Sequence, residues 1–176
     1  TVIRFGQPNL WQELNKIKQY LPQIIIIIAG TNETVDLPLR NWEHTDSFEQ
    51  DYRDFLSQLK SLSSHPVIFI CSPTDMNLKT PGLSAKRLSD LTIRRPRIWE
   101  LRKRIGRLAR QSSVHFIDLT PRFKNKPELF TPGDGVHPNR EGYRLLAEVI
   151  FQKIKGSVHL KQQMVKNSGK FKSALL

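Results

Sequence analysis

The sequence predicts an α/β fold: a parallel sheet with helices packed on both faces. Three observations carry this. Segments with helical spacing of apolar residues alternate with short β-rich runs, in the order helix–strand–helix–strand–helix–strand–helix. Two of the runs, 24–28 and 67–71, carry no polar residue except Cys71, as strands covered on both faces must. Each run exits into a polar loop, and right-handed crossovers gather such exits on one edge of the sheet.

In chain order, the first helix is expected over 8–20, where Leu10, Trp11, Leu14, Ile17 and Leu21 recur at helical spacing between Pro8 and Pro22. Five isoleucines at 24–28 read as a central strand buried on both faces. They lead into the loop Gly30-Thr31-Asn32-Glu33. Residues 37–45, with Trp42 and His44, read as an ordered excursion over the strand's exit. A second helix over 47–63 lines up Phe48, Tyr52, Phe55, Leu56, Leu59 and Leu62, with Asp46 as its cap. A second strand follows at 67–71 and ends at Ser72-Pro73. Pro81, Gly82 and mixed polarity make 74–92 a long loop. A third helix is expected from near Arg97, with Ile98, Leu101, Ile105 and Leu108 inward. The third strand spans 114–119, a loop runs over 120–137, and a last helix over 140–155 packs Tyr143, Leu146, Ala147, Ile150 and Ile154. Three strands make a thin sheet, which implies further strands ahead of Thr1.

A chain of 176 residues has the size of one domain. The domain is expected over 1–155. Beyond Gly156 the periodicity stops and lysine, glutamine and serine dominate, so 156–176 reads as a basic, disordered tail. A single cysteine, Cys71, rules out a disulfide within the chain and a cysteine-based zinc site. The longest apolar run is too short to cross a bilayer. The first residue is Thr1, so no compartment is read from the N-terminus. The net charge is +12, which favours polyanionic partners. Eight basic residues, Arg94, Arg95, Arg97, Arg102, Lys103, Arg104, Arg107 and Arg110, stand against one acid, Glu100. They form either a solvated helix face or a grip for polyanions, although few aromatics interleave and no nucleic-acid motif is present.

The most informative stretch is Gly133-Asp134-Gly135-Val136-His137-Pro138-Asn139, ahead of the last helix. Asp134 and His137 are close enough in sequence to meet without help from the rest of the fold. A carboxylate there fixes one imidazole tautomer and stabilises the cation formed when the other nitrogen takes a proton. This is the base half of a hydrolytic triad. An ordered turn is the structural alternative for the same residues. Asn32, at a strand exit, is a neutral amide suited to bind an oxyanion, or else a turn residue. Cys71 and Ser72 also sit at a strand exit, but no strained elbow surrounds them and Pro73 follows at once. His44, His65, His115 and His159 have no carboxylate three residues ahead of them and read as packing or surface residues.

Gly30-Thr31-Asn32-Glu33 after a strand and Asp134-Gly135-Val136-His137-Pro138 before the last helix together resemble the SGNH (GDSL) hydrolases over about residues 1–155. The resemblance implies a three-layer α/β/α sandwich of flavodoxin-like type. It also implies ester cleavage by a serine nucleophile, with no metal or other cofactor. His137 would be the general base, Asp134 its orienting carboxylate and Asn32 an oxyanion donor, with Gly30 and Thr31 beside it. The substrate would be an acyl ester of a small molecule, glycan or lipid. The sequence departs from the family in three places. No Gly-Asp-Ser motif is present, Glu33 stands where aspartate is commoner, and the glycine that supplies a second oxyanion N–H would fall just before Thr1. A nucleophile upstream of Thr1 is the expectation; a chain without one would be a pseudoenzyme.

Overall fold

The computed structural model describes residues 1–172, with side chains to Ser157. Three parallel strands, β1 (Ile24–Ile28), β2 (Val67–Cys71) and β3 (His115–Ile117), lie in the order β1-β2-β3. Ile26 sits beside Phe69, and Phe69 beside His115. The helices are α1 (Leu14–Tyr20), α2 (Phe48–Lys60), α3 (Ala85–Gln111), the single turn α4 (Thr120–Phe123) and α5 (Arg140–Lys172). The layers are those of an α/β/α sandwich.

One face of the sheet presents Ile25, Ile27, Ile68 and Ile70. These pack with Leu14 of α1, with Phe48, Tyr52, Phe55, Leu56 and Leu59 of α2, and with Leu101, Ile105 and Leu108 of α3. On the other face, Phe69, Cys71 and Ile117 pack against Ile150 and Leu146 of α5. Strand alternation explains the division, because successive side chains point to opposite faces.

The five isoleucines are not a central strand. β1 lies at the sheet edge, and Ile24, Ile26 and Ile28 remain 41–45% exposed. They share a face with Val67, Phe69 and Cys71, but α5 covers only the β2 and β3 columns. Composition reports what a strand can bury, not what is at hand to cover it.

Helix α3 begins twelve residues earlier than Arg97. Ser84 caps it, its Oγ accepting from Arg87 N at 3.2 Å. Pro96 then lies inside the helix, at a local cost of about 3 kcal/mol. Burial of Leu91, Arg94, Ile98, Leu101, Ile105 and Leu108, spaced alternately by three and four, offsets that penalty. Thus 85–92, expected as part of the 74–92 loop, is helical. Asp46 does not cap α2; a 3₁₀ segment, Asn41–Ser47, runs directly into it. Helix α5 runs on past Lys155 to Lys172, and 173–176 of the expected tail lie outside the described residues.

Candidate active site

The loop before α5 is tied down at both ends. Thr131 N donates to His137 O at 2.9 Å, and the Thr131 carbonyl accepts from Asp134 N at 3.1 Å. Gly133 and Gly135 take φ of +76° and +70°, which side chains rarely adopt. The Gly135 carbonyl accepts from Asn77 N at 2.8 Å, so the turn is pinned to the segment after β2. Within this frame Asp134 Oδ2 lies 2.6 Å from His137 Nδ1 and accepts the His137 backbone N–H at 2.8 Å. The contact requires a proton on Nδ1 when the ring is neutral, since two lone pairs would repel. Nε2 then keeps its lone pair, on a side chain 72% exposed.

Partial burial pushes the Asp134 carboxyl up. The two His137 donors and the Arg87 guanidinium more than offset this and hold it below its ordinary value. Arg87 donates through Nε to the Asp134 carbonyl at 2.8 Å and through Nη2 to Oδ1. One side chain therefore holds both the backbone and the carboxylate of residue 134.

Gly30, with φ of +119°, turns the chain out of β1. Buried Glu33 scaffolds the turn: Oε2 accepts from Gly30 N at 3.0 Å and Oε1 from Val2 N at 2.8 Å. Asn32 starts a short 3₁₀ turn, Asn32–Thr34, and is exposed. Its backbone carbonyl accepts from Asn41 Nδ2 at 2.9 Å. Its carboxamide hydrogen-bonds to no described residue. Thr31, partly buried, offers its carbonyl to Arg94 Nη2 at 3.3 Å.

The structure thus brings Asp134 and His137 into contact. Asn32 shares no hydrogen bond with them and is related to them through α3. Buried Arg94 reaches Thr34 Oγ1 at 3.0 Å and Asp90 at 3.1 Å. Asp90 Oδ2 also accepts from Arg87 at 3.1 Å. Arg87 and Asp90 are not legible as site residues, and Arg94 is legible only as a candidate for polyanion binding. The signal that could have found them is Leu91, which continues the three-four spacing of Ile98 and Leu101 one turn upstream, behind the Ser84 cap.

The other basic residues of α3 are mostly engaged as well. Arg95 forks onto buried Asp75 at 2.7 Å, Arg97 reaches Asp36 at 2.8 Å and stacks over Trp42, and Arg102 reaches Asp118 at 2.5 Å. Arg104 pairs with Glu49. Lys103, Arg107 and Arg110 are exposed. With Arg87, therefore, one arginine of α3 binds one aspartate in each of four segments: after β1, after β2, after β3 and before α5. Five of the eight residues proposed as a polyanion grip pair with carboxylates of the same chain, and Arg107 lies 4.0 Å from Glu49.

Cys71 and Ser72 are built into the core. Burial pushes the Cys71 thiol up to about 12. Ser72 Oγ accepts from Leu119 N and Thr120 N and bonds Asp118. His115 stacks on Phe69, with ring centroids 4.7 Å apart, and His44 lies against Phe5; the His159 side chain lies outside the described residues. Among the described residues no group of three or more His, Cys, Asp or Glu could hold a metal ion, and no helix is long and apolar enough to cross a membrane.

A model of the GDSL-like lipase/acylhydrolase family matches residues 1–145. Among characterised proteins the chain is similar to an acetylxylan esterase of Xylanibacter ruminicola, 24% identical over 77% of this chain and 29% of that protein. It is also similar to a multidomain esterase of Ruminococcus flavefaciens, 26% identical over 86% of this chain and 18% of that protein. The chain therefore spans less than a third of the length of these relatives. Among solved structures, an acetylxylan esterase from Geobacillus stearothermophilus superposes with a TM-score of 0.61 at 21% identity, covering 82% of this chain and 65% of that one. A lipase/acylhydrolase from Enterococcus faecalis gives 0.60 at 22% identity, over 84% and 69%. At such identities the likeness is one of fold, and the fold is the sandwich described above.

Proposed function

Since the chain belongs to the GDSL-like lipase/acylhydrolase family, we propose that it carries the base and oxyanion half of a serine ester hydrolase. The observation that carries this is the 2.6 Å contact of Asp134 Oδ2 with His137 Nδ1, which leaves Nε2 as an exposed proton acceptor. The nucleophilic serine belongs to sequence ahead of Thr1. The uncovered isoleucines at the β1 edge support that assignment, because they present an apolar face on which a preceding segment can pack.

His137 Nε2 takes the serine proton as the hydroxyl attacks the acyl carbon. It returns the proton to the leaving alcohol, and water then repeats the cycle on the acyl-enzyme. Asp134 stabilises the imidazolium. The Asn32 carboxamide donates to the tetrahedral oxyanion, joined by backbone N–H groups. Two relatives named as acetylxylan esterases favour an O-acetyl group on a glycan as the ester.

The test uses this chain with and without its upstream coding sequence, a fluorophosphonate probe, p-nitrophenyl esters of graded acyl length and acetylated xylan. The longer polypeptide is expected to be labelled on a serine outside these residues and to prefer acetyl. His137→Ala should lower its kcat by about 10⁴- to 10⁶-fold. Labelling of a serine within 1–176, or activity that survives His137→Ala, would overturn the proposal.

A further inference from the structure

We infer that Arg87 is a positioning residue of the Asp134–His137 pair, selecting the imidazole tautomer through the carboxylate it grips. The inference rests on the reading of His137 as the base and adds a member to that site.

Three independent features point to it. The first is geometry. Arg87 binds the carbonyl of Asp134 through Nε and its Oδ1 through Nη2, which fixes the carboxylate plane and turns Oδ2 toward His137 Nδ1. A planar fork can do this; a point charge cannot.

The second is placement. Arg87 is the third residue of α3, and the first turn of that helix holds no acid. The helix dipole disfavours a cation there. Within the helix the only return is the i,i+3 pair with Asp90, whereas Asp134 gains two bonds from the same side chain.

The third is anchorage. Nη1 is held by Asp90 Oδ2, which also binds Arg94, and Arg94 in turn holds Thr31 and Thr34 beside Asn32. Residues 87–94, barely two turns of one helix, therefore set both the Asp134 carboxylate and the loop that carries the carboxamide. The chemistry at risk is specific. If the carboxylate rotates, the neutral ring drifts toward the Nε2–H form, whose exposed nitrogen can no longer accept a proton.

The experiment reads the tautomer without turnover. Two-bond ¹H–¹⁵N correlation spectra of His137 are recorded at a pH where the ring is neutral, for the chain as it stands, for Arg87→Lys and Arg87→Gln, and for Asp134→Asn as the reference for a lost carboxylate. The unsubstituted protein is expected to show Nδ1–H as the dominant form. Both Arg87 variants should shift toward the Nε2–H ratio of Asp134→Asn, with the rest of the spectrum retained. A shift in Arg87→Lys, which keeps the charge, identifies the fork as the cause. A folded Arg87→Gln protein with the unsubstituted ratio overturns the inference, even if its stability falls, because a purely structural staple would give that result. Should Arg87→Gln not fold, the Lys variant decides by the same criterion. Failure of the esterase reading would instead appear as activity surviving His137→Ala.

Discussion

Glycine-to-alanine substitution at two positions of α5 should change stability in opposite directions. In a helix interior alanine is favoured over glycine by about 1 kcal/mol, since glycine loses more backbone entropy on folding. At Gly156 a Cβ meets nothing within 4 Å, so Gly156→Ala should realise that gain. At Gly142 the same atom would stand 2.2 Å from the Leu129 carbonyl oxygen and 2.7 Å from Pro138 Cβ. The carbonyl cannot swing aside cheaply, because it already accepts from Asn139 N at 2.9 Å. Asn139 itself caps α5, its Oδ1 accepting from Glu141 N and Gly142 N. Overpacking costs about 1–3 kcal/mol. A clash with pinned backbone belongs at the upper end, so the net loss for Gly142→Ala is about 2 kcal/mol. For a chain of this length that lowers Tm by roughly 4–8 °C, against a rise of about 2–4 °C for Gly156→Ala. Urea and thermal unfolding followed by circular dichroism measure both. A Gly142→Ala protein as stable as the original would refute the packing of α5 against Leu129 and Pro138, and with it the frame that holds His137.

Three further outcomes are expected. Arg95→Met strips the fork from Asp75, which is 1% exposed and would keep only Trp99 Nε1 and Met76 N as donors. Breaking such a pair costs about 3–5 kcal/mol, the lower end applying to a partly exposed arginine, and a urea-unfolding loss below ~1 kcal/mol would contradict it. Asp134 is held below its ordinary 3.8 in the folded chain, so its contribution to stability is complete above that value and is lost as pH falls through the lower folded one. A carboxyl ¹³C titration with a midpoint at or above 3.8 would show the sign to be wrong. Asn32→Ala should leave stability within about 0.5 kcal/mol, because the amide bonds no described residue. It should cost the serine-bearing polypeptide about 10²- to 10³-fold in kcat. A variant that lost stability and kept activity would make Asn32 a turn residue.

Much of the fold is legible from local pattern, because strand and helix periods are printed in the side chains. The strands at 24–28 and 67–71 fall where unbroken apolar runs place them, and the helix through Phe48–Lys60 falls where helical spacing places it. The contact of Asp134 with His137 is legible for a related reason: it is local in sequence, framed by two glycines. What the sequence conceals is of two kinds. Pro96 looks like a helix boundary, but a buried face extending to Leu91 outweighs it, and a local rule yields to tertiary packing. The arginines of α3 look like one cationic surface because their partners, Asp36, Asp75, Asp118 and Asp134, are scattered along the chain. A pairing between residues 16 to 61 positions apart leaves no trace in composition. The edge position of β1 is hidden likewise, since five isoleucines describe an affinity for cover and not its presence.

The four aspartate–arginine pairs along α3 have a consequence for anyone remodelling this protein. Each of the four segments, after β1, β2 and β3 and before α5, is moored to the same rod by one acid, so none can be exchanged as an independent cassette. A transplanted loop that omits its aspartate would strand a guanidinium beside the neighbouring moorings and pull on them. Grafts that retain an aspartate at 36, 75, 118 or 134 leave the other three undisturbed, and the residues between those fixed points are the ones open to exchange.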